Sequence, residues 1–204
     1  MMCPHNTTKQ GVEIQYGVNH LSHQMLSILL LDLIKKSNGR VINVSSNGSY
    51  IFVNKEEQIK GFCSFEEETV IGPGENLANV YQMYGRSKLA NLLFSKKLAR
   101  EFQKDGTTTA TAYSLNPGAV KTNLARHFNV VLRFLFLVGG SYFLKTPWEG
   151  TQTTLQLALA PKNKLVNGEF YTDCVVHKGS PFGNDLALQD KLWETSMKLI
   201  KPYL

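Results

Sequence analysis

Cysteine is scarce in this chain. Cys3, Cys63 and Cys174 are few, far apart and odd in number, which excludes a disulfide framework and points to reduced thiols in a reducing compartment. Charged residues are only 19% of the 204, yet hydrophobic residues reach 43%, too many for a disordered chain and enough for one sizeable core. No repeat, low-complexity tract or linker divides the sequence, so a single domain over 1–204 is expected. The most apolar window, FNVVLRFLFLVGGSYFLK at about 128–145, is broken by Arg133 and Gly139-Gly140 and is too short to span a bilayer comfortably. The other close glycines are Gly72-Pro73-Gly74, so no glycine-rich turn between strand and helix offers a cradle for pyrophosphate.

Acidic charge is also short. The 22 Lys and Arg outnumber 16 Asp and Glu, for a net charge of +6, which suits phosphate-bearing ligands or an anionic lipid surface. The basic residues are scattered and no nucleic-acid motif occurs, so no nucleic-acid partner is expected. His20 and His23 lie three apart on a helical pattern without a third ligand nearby, and no metal site is expected.

What the sequence does hold begins with YQMYGRSKLANLLF, where Tyr84 and Lys88 stand one helical turn apart. A phenol titrates near ~10, too high for acid catalysis at neutral pH, and a cation on the same helix face pulls that value down. Taken alone, the spacing is more often a rim aromatic beside a solvated cation. Three other segments point the same way. In GRVINVSSNGS the run Val41 to Val44 reads as a strand buried on both faces, ending in the hydroxyls of Ser45 and Ser46, where open α/β sheets place their ligands. In TATAYSLNPGAVKTNL, Thr109 to Leu115 reads as a second buried strand that turns at Asn116-Pro117-Gly118 toward Val120 and Thr122. In YGVNHLSHQMLSILLLDLIKK, the stripe Val18, Leu21, Met25, Ile28, Leu29 and Leu33 predicts one continuous helix of ~20 residues with Asn19 near its start.

These pieces, in this order, resemble the short-chain dehydrogenase/reductase superfamily, and their wording is similar to its retinol dehydrogenase branch. VNHLSH, RVINVSS, YGRSKLANLLFSKKLAREF, NPGAVKT, KTPWEGTQT and GEFYTDC carry the resemblance, from about Met1 to Cys174. It implies an α/β fold holding the C-terminal part of a Rossmann-like, doubly wound parallel sheet, with strands near Val41, Thr109 and Glu169. It also implies a site. Tyr84 would be the general acid/base, and Lys88 would hold the nicotinamide ribose and lower the pKa of Tyr84. Ser46, ahead of Ser45, would polarise the substrate carbonyl, and Asn19 would keep a water in the proton relay. Pro117, Gly118, Val120 and Thr122 would cradle the nicotinamide carboxamide.

The implied cofactor is NADP(H) ahead of NAD(H), and the implied substrate is a lipophilic alcohol or carbonyl. Residues 128–145 would form an apolar lid over that substrate or rest on a membrane surface. The implied location is cytoplasmic or on the cytosolic face of an intracellular membrane, the endoplasmic reticulum in that branch. The family's TGxxxGxG turn has no counterpart here, so Met1 is expected to fall just after the fourth family strand. That would leave the strand at Val41 with a bare edge. A homo- or heterodimer through helices 16–36 and 82–103 is implied as well, and with it an alternative: a silent truncated form that binds a full-length relative. Ser22 departs from the family's NHLGH. The segment from Ser46 to Tyr84 is longer than usual and reads as a solvated acidic loop.

Overall fold

The structure, a computed structural model, describes residues 3–61, 63–70, 80–122 and 144–204. The apolar window at 128–145 lies outside the described residues apart from Leu144 and Lys145, and so does the GPGEN turn of the acidic loop.

Four strands form one sheet in the order β1-β2-β3-β4: β1 Arg40–Val44, β2 Thr111–Asn116, β3 Phe170–Thr172 and β4 Val175–His177. The first three run parallel and lie near the expected positions. β4 was not foreseen. It returns antiparallel to β3 through Asp173 and Cys174, both left-handed with φ of 53° and 65°. That turn normally signals itself with Asn or Gly, and here it does not.

After the short helices α5 Glu56–Lys60 and α6 Glu67–Val70 comes the central element, helix α7, Val80–Asp105, which packs on β1 and β2. Its leucines 89, 92, 93 and 98, with Phe94 and Phe102, are all buried. A helix apolar on so many sides must be covered on most of them. α1 Ile14–Tyr16, α4 Gly48–Ile51 and the C-terminal helix α9 Leu186–Ile200 supply that cover. Alternation along β1 then divides the layers. Val41 belongs to the α7 core and Asn43 bonds Ser95 of α7, while Ile42 packs with Leu157 of α8, Pro147–Leu159. Arg40 closes α8 by donating to the carbonyls of Leu157 at 2.6 Å and Ala160 at 2.7 Å.

Two expectations are corrected. β1 is not buried on both faces: its residues alternate, and Val44 at its end is 46% exposed. The continuous helix at 16–36 is interrupted. α1 passes into a wide π-turn, Gly17–Leu21, then α2 Ser22–Leu29, and a break at Leu30 precedes α3 Leu31–Lys36. The predicted stripe divides accordingly, with Leu21, Met25 and Ile28 packed inward and Val18, Leu29 and Leu33 exposed.

Candidate active site

The strand ends and the start of α7 enclose a cleft of about 530 Å³. Its walls include Ser46, Tyr84, Lys88, Pro117, Gly118, Val120 and Thr122, which are all of the expected site residues except Asn19. Ile51, Phe52 and Val44 add an apolar side.

The two serines are distinguished by their partners. Ser45 donates its hydroxyl to the Lys88 carbonyl at 2.6 Å, tying β1 to α7. Ser46 accepts from the Gly48 amide at 3.1 Å and shares a hydrogen bond with the Tyr84 hydroxyl. Close backbone approach makes this possible, because a Cβ on Gly85 would stand 2.8 Å from the Gly48 carbonyl oxygen.

Burial raises the Tyr84 phenol above its ordinary value, and the bond to Ser46 offsets only part of that. The lowering assigned to Lys88 from sequence does not govern here. The Lys88 ammonium lies 5.7 Å from the Tyr84 ring centroid and donates instead to the Val44 carbonyl at 3.0 Å. Burial in turn lowers the Lys88 pKa to about 8. The Tyr84 hydroxyl is therefore held protonated.

Asn19 sits in the π-turn, apart from the cleft lining. Its amide donates to Ser87 Oγ at 3.0 Å, and Ser87 donates to the Tyr84 carbonyl at 2.8 Å. Gly118 takes a φ of 84°, and Lys145 crosses its bare face, 3.0 Å from where a Cβ would stand. Lys145 is fixed by two backbone bonds, to Ala119 and from Lys121, both 2.8 Å, and by an ion pair with Asp173. Lys145 and Asp173 stand within KTPWEGTQT and GEFYTDC, but their pairing carried no signal in sequence, since they meet only when β3 comes beside the Pro117 loop.

The cleft suits the nicotinamide-ribose end of a dinucleotide. Lys88 has donors beyond the one given to Val44, and the Asn47 Oδ1, in the same cleft, is buried without a partner. His20 and His23 do not converge: His20 bonds Asn91 and Ser196, and His23 bonds the Asn19 carbonyl.

No family model matches the chain. Among curated proteins it is 38% identical over 200 residues to retinol dehydrogenase 14 of Mus musculus, covering 97% of this chain and 55% of that protein. It is 36% identical over 201 residues to retinol dehydrogenase 11 of Homo sapiens, covering 98% and 58%. It is 36% identical over 207 residues to the chloroplastic short-chain dehydrogenase TIC 32 B of Brassica napus, covering 98% and 61%. The chain thus spans little more than half the length of the relatives it matches. A crystal structure of an uncharacterized protein from Mycobacterium Paratuberculosis superposes with a TM-score of 0.69 at 25% identity, over 98% of this chain and 63% of the other.

Proposed function

The chain belongs to the short-chain dehydrogenase/reductase superfamily, in its retinol dehydrogenase-like branch, and from that premise we propose that it serves the NADP(H)-dependent interconversion of a lipophilic alcohol and its aldehyde or ketone. One observation carries the reading: Tyr84, Ser46, Lys88 and the Pro117–Thr122 loop line a single cleft with an apolar side. The cofactor, when bound, supplies or accepts the hydride.

The chain's own residues manage the proton and the positions. In reduction Tyr84 gives its phenolic proton to the carbonyl oxygen, and in oxidation its phenolate takes the alcohol proton. Ser46, already bonded to that hydroxyl, orients the same oxygen. Lys88 holds the ribose hydroxyls with its remaining donors. Val44, Ile51, Phe52 and Val120 offer the surface against which a lipophilic chain lies.

A second reading is favoured by exposed apolar residues on α2 and α3: Leu26, Leu29, Leu30 and Leu33. In it the chain is silent and dimerises with a full-length relative. Of the two expected helices, 16–36 and 82–103, the first carries the exposed apolar residues among the described residues, while α7, which contains 82–103, is largely buried against its neighbours. The described residues contain no helix long and apolar enough to cross a membrane. We propose a location in the cytoplasm or at the cytosolic face of an intracellular membrane, the latter supported by the net charge of +6, which suits an anionic lipid surface.

The test uses NADPH with a lipophilic aldehyde, on the chain completed with the part of retinol dehydrogenase 11 that it does not match. Tyr84→Phe should lower kcat by about 100-fold or more while leaving NADPH affinity nearly unchanged. A loss of only a few-fold would remove Tyr84 from its role.

A further inference from the structure

Beneath the cleft lies a chain of buried polar side chains that the reaction as described does not use. Tyr16, His20 and Ser196 are fully enclosed, and Asn91 is 4% exposed. Such groups persist only when their hydrogen bonds are satisfied. Here the bonds have one consistent direction. Asn91 Nδ2 donates to two carbonyls, of Asn19 at 3.0 Å and of Val44 at 3.2 Å, which fixes its amide oxygen on the other side. That oxygen faces His20 Nδ1 at 3.2 Å, so Nδ1 carries the proton. Nε2 is then an acceptor for Ser196, 3.1 Å away, and Ser196 in turn accepts from the Tyr16 hydroxyl at 2.9 Å. Burial lowers the His20 pKa to about 3 and keeps the Tyr16 phenol protonated, so both titratable members hold the required form at neutral pH.

The two carbonyls held by Asn91 both bear on the site. Val44 O is the acceptor of the Lys88 ammonium, and Asn19 O lies in the π-turn whose side chain bonds Ser87 behind Tyr84. We propose that Asn91 is a positioning residue for Lys88: its amide, buttressed from behind by His20, ties the carbonyl that anchors the ammonium to the wide turn at Asn19, and so couples the C-terminal helix α9 to the cleft. The inference rests on Tyr84 and Lys88 being the reactive pair. It touches no substrate and adds no step to the reaction; it fixes where the cation stands.

The test reads Lys88 directly, by carbon-detected NMR titration of the full chain labelled at lysine. Asn91→Leu, similar in size but without donors, should release Lys88 toward solvent and raise its titration by about half a unit or more toward the ordinary lysine value. Ser196→Ala, which removes one hydroxyl at the far end of the chain of bonds, should move Lys88 the same way by less. Leu93→Ala serves as the structural control. It removes more core packing on the same helix but lies outside the hydrogen-bond chain, and Lys88 should titrate as in the parent. An unmoved Lys88 in Asn91→Leu, or an equal shift in Leu93→Ala, overturns the proposal. Should Asn91→Leu not fold, Ser196→Ala decides alone, and an unchanged Lys88 there overturns the coupling. The measurement needs no turnover, so it stands apart from the Tyr84→Phe test: an active Tyr84→Phe enzyme would remove the functional reading while leaving the Lys88 result in force.

Discussion

Lys88 is a cation in a place that disfavours cations. No carboxylate balances it among its resolved interactions, and burial alone sets its pKa near 8. Because the folded value lies below the unfolded one near ~10.4, the unfolded chain binds more protons between the two. Stability contributed by this residue therefore rises with pH from about 8 upward. Lys88→Met should flatten that rise and stabilise the chain at pH 7 by on the order of 1 kcal/mol, since solvent screens the part-exposed ammonium. Urea unfolding at pH 7 and pH 9.5 on both proteins checks it, and equal slopes would remove the claim. The window closes near pH 10, where buried Tyr16 and Tyr84, with raised values, begin to oppose folding. At this scale the reactive residues were legible because Tyr84, Lys88 and Ser46 sit in recognisable strings. Asn91 stands in the same string, three residues past Lys88 on the same helix face, yet its role depends on Val44 and Asn19 arriving from elsewhere. Arg86 was hidden for a similar reason. It is fully buried beside Glu13, which caps α1 through the Gln15 and Tyr16 amides, and lies 5.5 Å over the Tyr16 ring.

Elements set the cleft by how closely they approach. α4 crosses α7 at Gly85, where a Cβ would meet the Gly48 carbonyl oxygen at 2.8 Å and Phe52 Cβ at 2.9 Å. Backbone on one side and the stem of half-buried Phe52 on the other leave little room to give. Gly85→Ala should therefore cost about 1–3 kcal/mol by overpacking, and it should push the Ser46–Gly48 turn away from Tyr84. Thermal unfolding reads the first effect, and a change in the Tyr84 titration reads the second. A neutral Gly85→Ala would mean that the two helices slide apart freely. The family resemblance made the long helix legible as 82–103, two residues short at each end of Val80–Asp105, and placed the parallel strands within a few residues. Periodicity was the guide at 16–36. It failed because the apolar residues there serve two faces, so that a π-turn and a break at Leu30 pass unnoticed beneath an unbroken hydrophobic pattern. The β3–β4 hairpin was missed because Asp173 and Cys174 adopt left-handed backbone without the usual glycine.

Among the described residues the sheet has one bare side. There β1 pairs only with β2, and apolar residues stand exposed on the elements of both layers: Leu29, Leu30 and Leu33 along α2, α3 and the break between them, and Leu155 and Leu159 on α8, with Val44 at the strand's own end. The bare strand edge was foreseeable from the family pattern; that exposed apolar residues occur on both layers was not, since it depends on which side of α2, α3 and α8 turns inward. An unpaired strand with apolar neighbours is a template for association, and the net charge of +6 opposes it only at low salt. The chain by itself should therefore sediment as species larger than a monomer at tens of micromolar in about 0.15 M salt, and more so as salt rises. Leu33→Glu combined with Leu159→Lys places one charge on each layer without touching the cleft. That pair should return most of the protein to monomer while leaving its unfolding midpoint within about 2 °C, as expected for exposed positions. If the double variant associates as strongly as the parent, the contact lies elsewhere. If both are monomers at every salt concentration, the bare edge is protected by something other than charge.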